Sequence, residues 1–171
     1  MKRLIILGAG GYARTINDIA TQSLHYDQIF YLDDNKKSPD ILEKCSDFEK
    51  FISDDTEMYP AIGDNQTRLR LINLLKEKNA KIATFIHRTA YVSPTAIICE
   101  GVVVLPNAVV NTGCVIREGA IINCGAIVDH DCTIEKGVHL CPGAVVKPHN
   151  VVAECTKLES NSVIYTNING V

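Results

Sequence analysis

Asp129, His130 and Asp131 are the residues of this sequence whose types and spacing are best suited to proton transfer. Imidazole is the side chain that changes charge near neutral pH. A carboxylate beside it holds one tautomer and raises its pKa by favouring the charged ring. A histidine held that way can take a proton from an attacking amine or hydroxyl. A solvated surface histidine beside surface acids has the same local sequence, so the motif alone leaves both readings open.

A second constellation lies at the start of the chain. Gly8-Ala9-Gly10-Gly11-Tyr12-Ala13 has the Gly-x-Gly-x-x-Ala form, after the apolar run Leu4–Leu7 and ahead of a helical pattern. Glycines there let the backbone approach a phosphate, and the first N–H groups of the helix point at it. Asp33 follows the next apolar run, at the distance where an acid can accept from a ribose hydroxyl. A tight turn without a ligand is the competing reading. Only one nucleotide-binding half is present, which favours a nucleotide-linked substrate over a nicotinamide cofactor.

These groups need elements to position them, and the two halves of the chain supply different kinds. Residues 1–85 read as strand, helix and strand in alternation. The expected strands are Lys2–Leu7, Gln28–Leu32, Tyr59–Gly63 and Ile82–Phe85; the expected helices are Tyr12–Ser23, a short one near Asp47–Ile52, and Asn65–Lys78. That order implies a small parallel α/β sheet. Residues 86–171 obey another rule. Every sixth residue from Ile86 to Ile164 is Ile, Val or Leu, and the residue two before it is often Ala or Cys. Hexapeptide periodicity is the signature of a parallel β-helix. Three hexads make one coil, so residues 18 apart stack at about 4.8 Å. Ile86, Val104, Ile122, Leu140 and Leu158 should form one such column, and no hexad carries an insertion. The two expected domains are 1–85 and 86–171.

The remaining composition narrows the function class. Net charge is −3, which gives no basic surface for nucleic acid, and no apolar run is long enough to span a bilayer. The run behind Met1-Lys2-Arg3 ends in glycines after four residues and reads as a first buried strand, not a signal peptide. Seven cysteines, an odd number with no Cys-x-x-Cys pair, read as reduced thiols of a cytoplasmic protein. The other candidate histidines are His87, His139 and His149. No two histidines lie five residues apart, the spacing of paired zinc ligands in enzymes built on the same helix, and no metal is expected.

Four segments carry a resemblance to a known family: Ile6-Leu7-Gly8-Ala9-Gly10-Gly11, Tyr31-Leu32-Asp33-Asp34, Ala61-Ile62-Gly63-Asp64-Asn65, and Ile86-His87 leading to Val128-Asp129-His130-Asp131-Cys132. In that order they resemble the NeuD/PglD family of sugar acyltransferases, which includes sialic acid O-acetyltransferases. The resemblance implies a Rossmann-like α/β N-terminal domain binding a nucleotide sugar, a left-handed parallel β-helix, a homotrimer, and acetyl transfer from acetyl-CoA to the amino group of a nucleotide-linked 4-amino sugar, with sugar O-acetylation of the sialic-acid type as one alternative. It implies His130 as catalytic base with Asp131 in support. Gly8, Gly10, Gly11, Tyr12, Asp33, Asp34, Asp64 and Asn65 would bind the nucleotide-linked substrate, and His139 and Pro148 would lie on the acetyl-CoA side. A trimeric nucleotide-sugar-binding protein without transfer activity is the other alternative. Three departures from the family stand out. Tyr12 replaces a common histidine. Pro148, one coil beyond His130, replaces a glycine and has no N–H for the thioester carbonyl. The sequence ends at Val171, where relatives run one or more coils further.

Overall fold

A computed structural model describes residues 1–35 and 38–165. Residues 166–171, which bear on the expectation of a shortened last coil, lie outside the described residues. The chain separates into two compact units, Met1–Phe85 and Ile86–Val171.

The first unit is a five-stranded parallel sheet flanked by helices. Its elements are β1 (Arg3–Leu7), α1 (Gly11–Ser23), β2 (Gln28–Leu32), β3 (Ile41–Glu43), a 3-10 turn at Cys45–Phe51, β4 (Thr56–Pro60), α2 (Asn65–Glu77) and β5 (Lys81–Ile82). The strand order is β3-β2-β1-β4-β5. β1 lies at the centre, which is why Leu4 to Leu7 form an unbroken apolar run: they are buried on both faces. Ile5, Leu7, Leu32, Met58, Ile72 and Leu75 join in one core.

Three expectations are corrected at the edges. β4 spans Thr56–Pro60, not Tyr59–Gly63, because the Ile62 N–H turns back onto the Pro60 carbonyl (2.9 Å) and ends the strand. β3 was hidden in a polar stretch; as a three-residue edge strand it has little apolar signal to give. The run Ile82–Phe85 splits, with Lys81–Ile82 closing the first sheet and Phe85–Ile86 opening the repeat.

The second unit is a left-handed parallel β-helix. Among the described residues, its strands are two residues long and recur every six, from Phe85–Ile86 to Val163–Ile164. They form three parallel sheets in which each strand pairs with the one 18 residues on: Ile121 with His139, Ile127 with Val145, Val115 with Thr133. Ile116, Ile122, Ile134 and Leu140 have no exposed surface, and neither do the small residues Ala108, Cys114, Ala120, Ala126 and Ala144. Large and small side chains thus alternate into a narrow prism, each large one contributing about 1.5–3 kcal/mol on burial. The corners need left-handed backbone. Glycine supplies it at 101, 113, 119, 125, 137 and 143, and Asn107, Asp131, His149, Cys155 and Asn161 adopt it without glycine.

Candidate active site

The corner after strand Ile127–Val128 carries Asp129, His130 and Asp131, and the two acids do different things. Asp129 serves the backbone: its Oδ1 accepts the His130 N–H at 2.8 Å and the Asn111 Nδ2–H at 3.4 Å. Asp131 serves the ring, its Oδ2 lying 2.9 Å from His130 Nδ1. A carboxylate can only accept, so the proton sits on Nδ1 and the Nε2 lone pair is left for another partner. Both side chains are about half exposed, 44% for His130 and 52% for Asp131.

The stacking of coils explains how Asp131 is held. Residues 113, 131 and 149 form one column of left-handed corners. A side chain on Gly113 would overlap Asp131 Oδ1, so glycine there provides both the backbone conformation and the space for the carboxylate. The Asp131 N–H donates to the Thr112 carbonyl at 2.9 Å, and one coil on the His149 N–H donates to the His130 carbonyl at 3.2 Å. The ladder at this corner uses the second corner residue as donor. Pro148 is the first corner residue of its coil, so it costs no ladder bond.

His149, a candidate histidine given no role from the sequence, stacks on Asp131. Its ring meets His130 edge to face, with centroids 5.1 Å apart and planes at 88°. Its Nδ1 is 3.9 Å from Asp131 Oδ2. The signal was available in the 18-residue register: 130 plus 18 is Pro148, and 131 plus 18 is His149. His139 lies on another face of the prism, in the strand His139–Leu140, where Asn123 Nδ2 donates to its Nε2 at 2.9 Å.

In the first unit, the glycine turn lies between β1 and α1. Gly8 has φ 95° and packs against Ile62 and Ala61 so closely that a side chain would press on them, while Gly10 faces open space. Asp33 is tied into this turn: its Oδ2 accepts the Ala9 N–H at 2.8 Å and its Oδ1 the Asn35 N–H at 2.9 Å. Asp34 accepts the Cys45 N–H at 3.1 Å. Asp33, Asp34, Asn35, Ile41, Glu43 and Lys44 line an open pocket of about 240 Å³. Asp64 caps α2, accepting the Thr67 N–H at 2.8 Å; hydrogen bonding from the Thr67 side chain, then from its backbone, holds the carboxyl below the usual range. The Tyr12 hydroxyl meets that of Tyr59 at 2.8 Å; burial and that neighbour push the Tyr12 phenol well up.

Known proteins share both units of this chain. Residues 3–75 match the family model described as the PglD N-terminal domain. The acetyltransferase domain of PglB from Neisseria gonorrhoeae FA1090 superposes with a TM-score of 0.92 at 30% identity, over 95% of this chain and 82% of that one. This chain belongs to the PglD-like sugar acyltransferase family. The same PglB domain in complex with acetyl coenzyme A aligns at 29% identity, with a TM-score of 0.91 over 95% of this chain and 81% of that chain. A mutant of perosamine N-acetyltransferase from Caulobacter crescentus, in complex with CoA and GDP-perosamine, aligns at 25% identity, with a TM-score of 0.85 over 92% and 77%.

One buried polar residue in α2 was invisible in the sequence. Arg68 has no exposed surface; its guanidinium donates to the Ile62 carbonyl at 3.1 Å and to Asn65 Oδ1 at 3.0 Å. An arginine in the first turns of a helix ordinarily reads as surface, and no local pattern marks this one as buried. Asn65, expected at the mouth of a substrate site, is the acceptor that helps satisfy it.

Proposed function

We propose that this protein transfers the acetyl group of acetyl-CoA to the amino group of a nucleotide-linked 4-amino sugar. The observation that carries the reading is the 2.9 Å contact of His130 Nδ1 with Asp131 on a solvent-facing corner, which leaves Nε2 as acceptor. It is supported by relatives, aligned over 92–95% of this chain, that hold acetyl coenzyme A in one case, and CoA with GDP-perosamine in another.

The amine lone pair attacks the thioester carbonyl and the C–N bond forms. His130 Nε2 takes the proton that the nitrogen must lose, and Asp131 stabilises the imidazolium that results. The tetrahedral intermediate collapses, the C–S bond breaks, and the proton passes from Nε2 to the departing thiolate. No acyl-enzyme is needed. Cys114 and Cys132 are buried thiols that donate to the carbonyls of Asp129 and Lys147, and burial pushes both up, away from the thiolate form.

The glycine turn with Asp33 and Asp34 would hold the nucleotide, with Tyr12, Asp64 and Asn65 near the sugar. His139 and Pro148 would face acetyl-CoA. A homotrimer fits the exposed side chains of Ile97 and Val151, at the two ends of one sheet of the prism. Free thiols at all seven cysteines suit a cytoplasmic enzyme drawing on acetyl-CoA.

Turnover of GDP-, UDP- and dTDP-linked 4-amino sugars with acetyl-CoA, read by mass spectrometry, tests the reaction. His130→Ala should lower kcat by about 10²- to 10⁴-fold. Full activity in that variant removes His130 as the base. A product acetylated on oxygen moves the reaction to a hydroxyl acceptor.

A further inference from the structure

His130, Asp131 and His149 offer one ligand atom each, all within 4.8 Å of one another. We infer that these three side chains form a binding site for a divalent transition-metal ion, and that occupying it switches off His130 as a base. The second half rests on the acetyl-transfer reading; the first does not.

The donor set selects the metal class. Two imidazoles and one carboxylate suit zinc and the neighbouring late first-row ions, whereas magnesium and calcium take oxygen ligands. The geometry is close to what such an ion needs. Ligand atoms about 2.0–2.1 Å from a tetrahedral ion lie roughly 3.3 Å apart. The carboxylate oxygen Asp131 Oδ2 is already 2.9 Å from His130 Nδ1 and 3.9 Å from His149 Nδ1. The two imidazoles lie within 4.8 Å of each other as ligands, and both rings stand on the open side of the corner, 44% and 63% exposed. The backbone is preset: Asp131 and His149 occupy successive left-handed corners of one column, locked by the Asp131 and His149 N–H bonds to the coil before. The open side leaves a fourth position for water.

The effect on catalysis follows from the tautomer. With Asp131 as partner, the His130 proton is on Nδ1 and Nε2 is free. A metal ion on Nδ1 moves that proton to Nε2, so no net proton is released and the nitrogen that would accept from the amine is occupied. The ion also takes Asp131 away from the ring. Zinc would therefore inhibit by ligation of the base.

The test uses the full chain. Zinc titration by calorimetry should show one ion per chain. Cobalt in its place should give the visible spectrum of nitrogen and oxygen ligation without a thiolate charge-transfer band, which separates this site from the exposed Cys124. His149→Asn keeps a residue that tolerates the left-handed corner and removes the imidazole; it should weaken zinc binding about 100-fold or more. The ratio of acetyl transfer with and without zinc should rise toward one in the same variant. Absence of zinc binding, zinc binding that survives His149→Asn, or a thiolate band with cobalt each overturns the site. Binding that depends on His149 in a protein without acetyl-transfer activity would leave the site standing and remove only the inhibition.

Discussion

The candidate site residues of the two units are used in opposite ways. In Met1–Phe85, the acids and amides that resemble ligand-binding residues are spent on the chain itself. Asp33 holds the Ala9 N–H, Asp64 caps α2, Asn65 accepts from Arg68, and the Tyr12 hydroxyl turns to Tyr59. In Ile86–Val171, the prism stands on aliphatic stacking and corner backbone bonds, and His130, Asp131 and His149 hold no ladder together with their side chains. A glycine turn must be shaped by its own hydrogen bonds before it can hold a phosphate. A repeat that stacks on aliphatics can present reactive groups at its corners at little cost to folding.

The strongest way to break this contrast is a paired stability measurement. Arg68→Ala strands the Ile62 carbonyl and Asn65 in a buried site, and should destabilise the first unit by about 3 kcal/mol. His130→Ala removes a half-exposed ring and should stay within about 0.5 kcal/mol of the parent. Hydrogen exchange resolved by peptide reads both, with faster exchange confined to β4 and α2 in the first variant. Equal losses would show that the corner also folds the chain.

A sharper comparison sits within the prism. Gly113 and Gly125 have nearly the same φ, 68° and 66°, but only a side chain at 113 would meet Asp131; at 125 it meets nothing within 4 Å. Alanine at either position should cost about 1–2 kcal/mol of backbone strain. Only Gly113→Ala should also lower kcat, by at least about tenfold, because Asp131 must swing away from His130. Matched thermal melts with unmatched kcat values are the expected result. Equal kcat values would remove Asp131 as the positioning group.

The smallest effect concerns the thiols. Burial raises Cys114 and Cys132 above the ordinary thiol range, so their thiolate fraction at neutral pH is low and grows only as pH climbs toward the raised values. Cys124 is exposed. Alkylation followed by peptide mass spectrometry should modify Cys124 first and reach Cys114 and Cys132 only on unfolding. Early labelling of either buried thiol would mean that the prism opens locally.

Much of the site could be read in the sequence because the repeat converts position into geometry. A period of six set the strand, the corner and the coil, so His130 and Asp131 could be placed on an outward corner from their numbers alone. The same register places Pro148 over His130 and His149 over Asp131. The first unit had no such ruler. Its helix α1 and strands β1 and β2 were legible from apolar patterning. Strand β3 was not, since a short edge strand buries too little to leave a pattern.

The sequence by itself determined the two kinds of core, the coil register, and which corner carries the histidine and acids. These depend on periodic burial, which every repeat states again. Tertiary structure alone decided where the carboxylates point: Asp129 to the backbone, Asp131 to the ring, Asp33 into the glycine turn. It also buried Arg68 and brought the His149 ring edge-on to His130. A side-chain hydrogen bond depends on rotamers and on neighbours from distant parts of the chain. A hydrophobic period, averaged over many residues, carries no information about either.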